Sequence, residues 1–305
     1  MIVGRGAIEV VECALAGPRS AGHCLVVNTE SRALVLGGGG VTGVGWELGL
    51  LCGLAAAGVA LDAADIVIGT SAGSVVGAQL CSGVALDELY ERQLTPPTGE
   101  VAATLSLGVL MRFAASGIGW DARAARARLG RRALRASTVP ETQRRAIIES
   151  RLPRREWPAH PRLLVTAVDA ETGEAVVWDR DSGVDLVDAV AASCAVPLVW
   201  PPMTVNGRRY VDGGVRSLTN ADYATGCSRV VVLAPATAAI RRSGRVARQL
   251  ASLGPHVRTV VCSPDAQARA AIGRNVLDPA RRAAAARAGH RQAANLAAAV
   301  IAVWS

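Results

Sequence analysis

Ile66-Val67-Ile68-Gly69-Thr70-Ser71-Ala72-Gly73-Ser74 decides the reading of this chain. Its first three residues are β-branched and apolar, the composition of a buried strand. Gly-x-Ser-x-Gly comes next, and a run of small residues over 72–80 starts a helix. Strand, sharp turn and helix put Ser71 at an apex where its hydroxyl points outward, with glycines on both sides that allow close packing. Ser71 is therefore the candidate nucleophile. An ordinary Gly/Ser turn has the same letters, so the rest of the chain must supply what a nucleophile needs.

Upstream, Arg32-Ala33-Leu34-Val35-Leu36 reads as a short strand that runs into Gly37-Gly38-Gly39-Gly40-Val41-Thr42-Gly43. A helix over 44–57 follows, with Gly58 as its C-cap. Alternating strand and helix is the pattern of an α/β protein with a mostly parallel sheet covered by helices. Downstream, a short helix is expected over 87–93, then a break at Thr95-Pro96-Pro97-Thr98-Gly99. Residues 95–136, with an apolar stretch over 100–120 and an arginine-rich one over 121–136, read as a cap over an apolar cleft, its arginines facing anionic headgroups, or as ordinary surface helices. A helix over 140–150 is next. Residues 162–169 and 174–178 form a hairpin across Thr172-Gly173. A helix over 186–192, an extended proline-rich connection over 195–202 and a strand entering Asp212-Gly213-Gly214 come after it. Strands at 229–233 and 259–262 precede a final helix from Pro279 to about 303, for which Asp278 is the N-cap. Residues 1–31 show no clear period and are taken as an N-terminal extension, and 32–305 as one domain.

Half of the 305 residues are hydrophobic, enough for a sizeable core, and the scarcity of aromatics beside abundant alanine predicts close helix packing. The net charge is +8, and all 33 basic residues are arginine. They cluster at 123–135, 144–155, 241–248 and 281–291. Such an excess favours anionic partners, although most charged runs on helices simply face water. Cys13, Cys24, Cys52, Cys81, Cys194, Cys227 and Cys262 are scattered, odd in number and without a C-x-x-C pair. That argues against a disulfide framework and against a zinc site. No apolar run approaches the roughly 20 residues of a spanning helix, and Glu9 and Glu12 interrupt any signal-like start. We expect a cytoplasmic protein, with peripheral contact at an anionic membrane surface through the arginines, and no nucleic-acid partner, metal or cofactor.

An activated serine needs a base, hydrogen-bond donors for the oxyanion and shelter from water. The glycine loop supplies donors: it lies between a strand and a helix, so its free N–H groups add to the positive end of a helix dipole. Gly38, Gly40 and Gly43 also match the dinucleotide pattern G-x-G-x-x-G. That reading requires an acid near the end of the next strand. Here the strand ends in Gly69-Thr70-Ser71, with Asp62 and Asp65 before it. For the base, the order Ser71, Asp212, His256 matches an α/β-hydrolase triad, yet only one strand precedes the elbow strand, which is too few for that fold. Asp212 alone remains the better candidate, since a partly desolvated carboxylate within reach of the serine has its pKa raised toward working pH.

The glycine loop, Gly-Thr-Ser-Ala-Gly and Asp-Gly-Gly, in this order, resemble the patatin-like phospholipase family in its bacterial form. The connecting block Ala192-Ser193-Cys194-Ala195-Val196-Pro197 and Pro201-Pro202 belong to the likeness, which runs from Ala33 to the C-terminus. The resemblance implies a three-layer α/β/α patatin-like fold and a Ser–Asp dyad without a catalytic histidine. It also implies hydrolysis of acyl esters, commonly phospholipids. Carried over by position, Ser71 is the nucleophile, Asp212 the base, and Gly38, Gly39 and Gly40 lie in the oxyanion loop. One departure is Thr42, which stands where the family usually has Arg or Lys. The competing reading is a non-catalytic lipid-binding or interaction protein that keeps the fold, and Thr42 is the sequence feature in its favour.

Overall fold

The computed structural model describes residues 31–95, 121–237 and 242–305. Strand β1 (Arg32–Leu36) enters the glycine run, and α1 (Gly40–Ala56) leaves it. Strand β2 (Ile66–Gly69) passes through Thr70 and Ser71 into α2 (Ala72–Leu80), followed by α3 (Leu86–Leu94). Helices α4 (Ala122–Leu134) and α5 (Glu141–Ser150) precede the hairpin of β3 (Arg162–Asp169) and β4 (Ala175–Trp178). Then come α6 (Leu186–Ser193), β5 (Met203–Val205), β6 (Arg208–Asp212) and β7 (Arg229–Leu233). The chain ends with α7 (Val246–Ala251), β8 (Arg258–Cys262), α8 (Ala266–Ile272) and α9 (Arg282–Trp304).

The eight strands among the described residues form one mixed sheet, with hydrogen-bonded order β5-β6-β3-β2-β1-β7-β8 and β4 also on β3. From β3 to β8 the five strands are parallel, and β4, β5 and β6 add antiparallel pairings. The register around β3 builds the site. Val165 pairs with Gly69 and Trp178, and Ala167 pairs with Asp212 and Val176. A strand residue has one partner on each edge, so β2 and β6 share one edge of β3, and β4 takes the other. Strand β2 runs with β3 and ends opposite Val165. Strand β6 runs against it and ends opposite Ala167. The last residues of both strands therefore meet, and Ser71, just past the end of β2, converges with the turn that Asp212 opens at the end of β6.

Both faces of the sheet are covered, which explains the unbroken apolar runs. Leu34, Leu36, Val67, Val231 and Leu233 pack in the larger cluster, with apolar residues of α1, α2, α6 and α9. Ala33, Val35, Ile68, Val230 and Val232 form a second cluster with Ala221, Ala224 and Leu250. The period-two alternation along β1 and β7 thus assigns each residue to its layer. The expected close helix packing is present between α1 and α9: a methyl group on Gly49 would stand 2.0 Å from the Ala286 carbonyl oxygen.

Some boundaries differ from expectation. Helix α1 begins at Gly40, not Val44, because the Gly43 amide already donates to the Gly39 carbonyl (2.9 Å). The connection over 195–202 is a tight turn, not an extended segment: Val196 oxygen accepts from the amides of Val199 (3.2 Å) and Trp200 (2.9 Å). Pro197 suits the second position of such a turn and Leu198 takes the third with φ 67°. Residues 1–30, most of the suggested extension, and 96–120, the apolar part of the suggested cap, lie outside the described residues. Within α4, arginines expected to face headgroups also bind the β3–β4 turn. Arg123, Arg126 and Arg131 donate to the carbonyls of Thr172, Gly173 and Glu171.

Candidate active site

Ser71 has φ 53° and ψ −115°, a conformation that non-glycine residues rarely adopt. Strain of this kind persists only where the surroundings over-determine it, and here they do. The Ser71 amide donates to Ser193 Oγ (2.9 Å), and its carbonyl accepts from Ser74 Oγ (2.7 Å) and Cys194 Sγ (3.3 Å). The Gly73 amide donates to Gly37 oxygen (3.0 Å), which ties the elbow to the glycine loop. The glycines of the elbow are required by contact: a methyl group on Gly73 would stand 2.0 Å from the Leu36 carbonyl oxygen.

The end of α6 brackets both Ser71 and Asp212. Ser193 and Cys194 hold Ser71, and the next residue, Ala195, accepts the Asp212 amide (3.0 Å). Asp212 is 4% exposed and Ser71 8%. The carboxylate Oδ1 accepts from the Gly214 amide (2.7 Å), so Asp212 caps the turn that it opens. Its Oδ2 is buried and makes no hydrogen bond of standard geometry among the described residues. Burial pushes the Asp212 carboxyl up to about 6, while the Ser71 side chain, the Gly214 amide and the Arg144 charge pull it down. The Ser71 hydroxyl is thus close enough to Asp212 to stabilise its charge. Arg144 is itself buried, with its guanidinium 4.0 Å from the Trp200 ring centre.

The glycine loop approaches from β1. A methyl group on Gly38 would stand 3.6 Å from Ser71 Cβ. The Gly38 amide is engaged, donating to Leu218 oxygen (2.7 Å), and the Gly37 amide is shared between Leu233 oxygen and Glu47 Oε1, each 2.9 Å away. The amides of Gly39 and Gly40 donate no hydrogen bond among the described residues. Buried amides without a partner are rare, and Gly39 is buried beside a serine elbow. Ala72, the first residue of α2, carries a third such amide. The N-termini of α1 and α2 therefore both favour negative charge near Ser71.

Thr42 is fully buried, and its amide and hydroxyl both donate to Val276 oxygen, at 3.1 and 3.2 Å. It fastens the start of α1 to the segment before α9. Burial pushes the Glu47 carboxyl well above the usual range, against the Gly37 amide, which lowers it. His256 is exposed and lies just before β8, whose first residue pairs with the first residue of β7. The elbow stands at the opposite ends of the parallel strands, so the structure removes the Ser71-Asp212-His256 triad. Ser193, Cys194 and Ala195 belong to the block that carries the resemblance, but their letters assign them no role. Asn220 carries no functional signal in the sequence at all.

Among the described residues, no three of His, Cys, Asp and Glu gather as metal ligands, and no helix is long and apolar enough to cross a membrane. A serine elbow between parallel strand and helix, facing a glycine loop and a buried carboxylate, defines a three-layer α/β/α fold of the patatin type. The chain belongs to the patatin-like phospholipase family, whose sequence pattern matches residues 34–225. Patatin-like phospholipases act on lipid acyl esters. The chain is also similar to VipD from Legionella pneumophila, at 15% identity and a TM-score of 0.46, with 88% of this chain and 67% of that one covered. No curated protein matches the sequence significantly.

Proposed function

We propose that the protein is a serine acyl-ester hydrolase of phospholipase A type that works through a Ser71–Asp212 dyad. The observation that carries this reading is the buried Asp212 carboxylate, whose Oδ2 makes no hydrogen bond of standard geometry among the described residues and whose charge the Ser71 side chain stabilises, beside a serine held in a strained elbow. Asp212 takes the Ser71 hydroxyl proton as Oγ attacks the ester carbonyl carbon. The tetrahedral oxyanion is met by the amides of Gly39 and Gly40, with Ala72 as a third donor. The Gly38 amide serves the loop itself through Leu218. Removing one such donor typically costs about 3 kcal/mol of transition-state stabilisation. Collapse breaks the ester C–O bond, and Asp212 returns the proton to the leaving alcohol. Water then gives its proton to Asp212 and attacks the acyl-enzyme; the second collapse breaks the bond between the acyl carbon and Oγ, releases the acid, and Asp212 returns the proton to Ser71.

The substrate class in this reading is a phospholipid or other acyl ester. Exposed arginines such as Arg131, Arg135 and Arg154 supply the contact with an anionic membrane surface. A fluorophosphonate probe tests the reading. Labelling of the folded protein that disappears in Ser71→Ala is expected. A folded protein that does not label, or labels equally without Ser71, leaves the non-catalytic lipid-binding reading in its place. An ester panel of increasing chain length, run with Ser71→Ala as control, then reads the acyl preference.

A further inference from the structure

The Asn220 side chain ties the two halves of the site together. Asn220 is fully buried and lies in the left-handed region, at φ 50°. Its Nδ2 donates to Thr70 Oγ1 (3.0 Å) and to Ser217 oxygen (2.7 Å), and lies 3.3 Å from both Thr166 Oγ1 and Gly213 oxygen. Thr70 immediately precedes the candidate nucleophile, and Gly213 immediately follows the candidate base. Thr166 lies on β3 between Val165 and Ala167, where the ends of β2 and β6 meet, and its hydroxyl is 3.0 Å from that of Thr70. One amide group thus spans the seam on which the site is built.

The orientation of that amide is set by its other end. Arg216 Nη1 donates to Asn220 Oδ1 (2.6 Å) while the same guanidinium pairs with the Asp222 carboxylate. Arginine has donors only, so the atom facing it is the carbonyl oxygen, and the NH2 faces the acceptors. The reversed amide would set its oxygen against the carbonyls of Ser217 and Gly213. The Arg216–Asp222 pair therefore orients a buried amide that in turn orients the elbow and the Asp212 turn.

We infer that Asn220 is a positioning residue for the reaction: its amide sets the separation of Ser71 and Asp212 by binding the residue before the one and the residue after the other. This rests on the dyad reading. Asn220 touches no reacting atom, so its effect falls on the rate of the chemical step and not on substrate binding. A misplacement of about 1 Å in reacting groups costs on the order of 100-fold.

The test replaces Asn220 by Gly, which removes the amide yet keeps the left-handed backbone accessible. Ester hydrolysis and the rate of fluorophosphonate labelling are measured on folded protein. The expected result is a fall of about 10- to 100-fold in kcat and in labelling rate, with KM nearly unchanged. A second variant, Thr70→Val, removes the acceptor hydroxyl at nearly constant shape and should lower kcat in the same way. In the double variant the two losses should not add, because both break one link. Wild-type kcat in either single variant overturns the inference, as do losses that simply add. Should Asn220→Gly fail to fold, Thr70→Val decides: a lowered kcat at constant KM supports the link, and an unchanged kcat refutes it. Absence of labelling in the wild-type protein overturns the dyad and this assignment with it, whereas normal labelling in Asn220→Gly overturns this assignment alone.

Discussion

Replacing Asp212 by Asn should abolish activity and stabilise the protein, and the stabilisation should depend on pH in a defined way. Burial raises the Asp212 carboxyl from its ordinary 3.8 to about 6. The folded state therefore holds this proton more tightly than the unfolded chain. Below about pH 3 the carboxyl is neutral in both states and costs nothing. As pH rises from about 4 through 6, the unfolded chain ionises first and folding stability falls. Each pKa unit is worth about 1.4 kcal/mol, so the displacement is worth about 3 kcal/mol, fully lost above pH 7. The substituted amide would not titrate, and its carbonyl oxygen can still accept the Gly214 amide that Asp212 Oδ1 now accepts at 2.7 Å. Glu47, also buried and raised, is common to both proteins and cancels in the difference. Urea denaturation of wild type and Asp212→Asn from pH 3 to pH 8 should show a stability difference that grows by about 3 kcal/mol in favour of the variant. A difference that stays constant with pH, or narrows toward pH 8, refutes the assignment of Asp212 as a buried, destabilised base.

With Asp212 as the proposed base, the wild-type rate of ester hydrolysis should rise with pH through about 6 and level off above it, since a base must be ionised to take the serine proton. Arg144→Met removes a charge that lowers the Asp212 pKa, so the rising limb of the pH–rate profile should move to higher pH. Thr42→Arg, which installs the cation usual in the family, should destabilise this protein by more than about 2 kcal/mol in denaturant titrations, since Thr42 is fully buried against Val276. Gly73→Ala should cost at least about 3 kcal/mol, or prevent folding, because the new methyl would stand 2.0 Å from a backbone oxygen of β1; circular dichroism melting reads it directly.

The parts of the site legible in the sequence are those whose chemistry is local. Gly-x-Ser-x-Gly after a β-branched run specifies a turn by the residues within it, and the glycine loop and Asp-Gly-Gly do the same. The parallel strands are legible too, because their apolar runs reflect burial on both faces. The pairing that brings these pieces together is not. Nothing in Arg208-Arg209-Tyr210-Val211 shows that this strand runs antiparallel along β3 and stops two residues beyond the end of β2. Register is a relation between strands, and the sequence of one strand does not contain it. The same holds for the donors. Four consecutive glycines are equivalent as letters, yet Leu218 occupies the Gly38 amide and leaves those of Gly39 and Gly40. That distinction depends on Leu218, 180 positions further along the chain. His256 fails for the converse reason: chain order alone places it after Asp212, and the parallel register of β7 and β8 puts it at the far ends of the strands. Ser193 and Asn220 are single polar residues in apolar or turn-rich surroundings, where satisfying a neighbour's backbone is the commonest use of such a side chain. Their importance comes from whose backbone and whose hydroxyl they satisfy, and only the assembled sheet reveals that both serve the meeting point of β2 and β6.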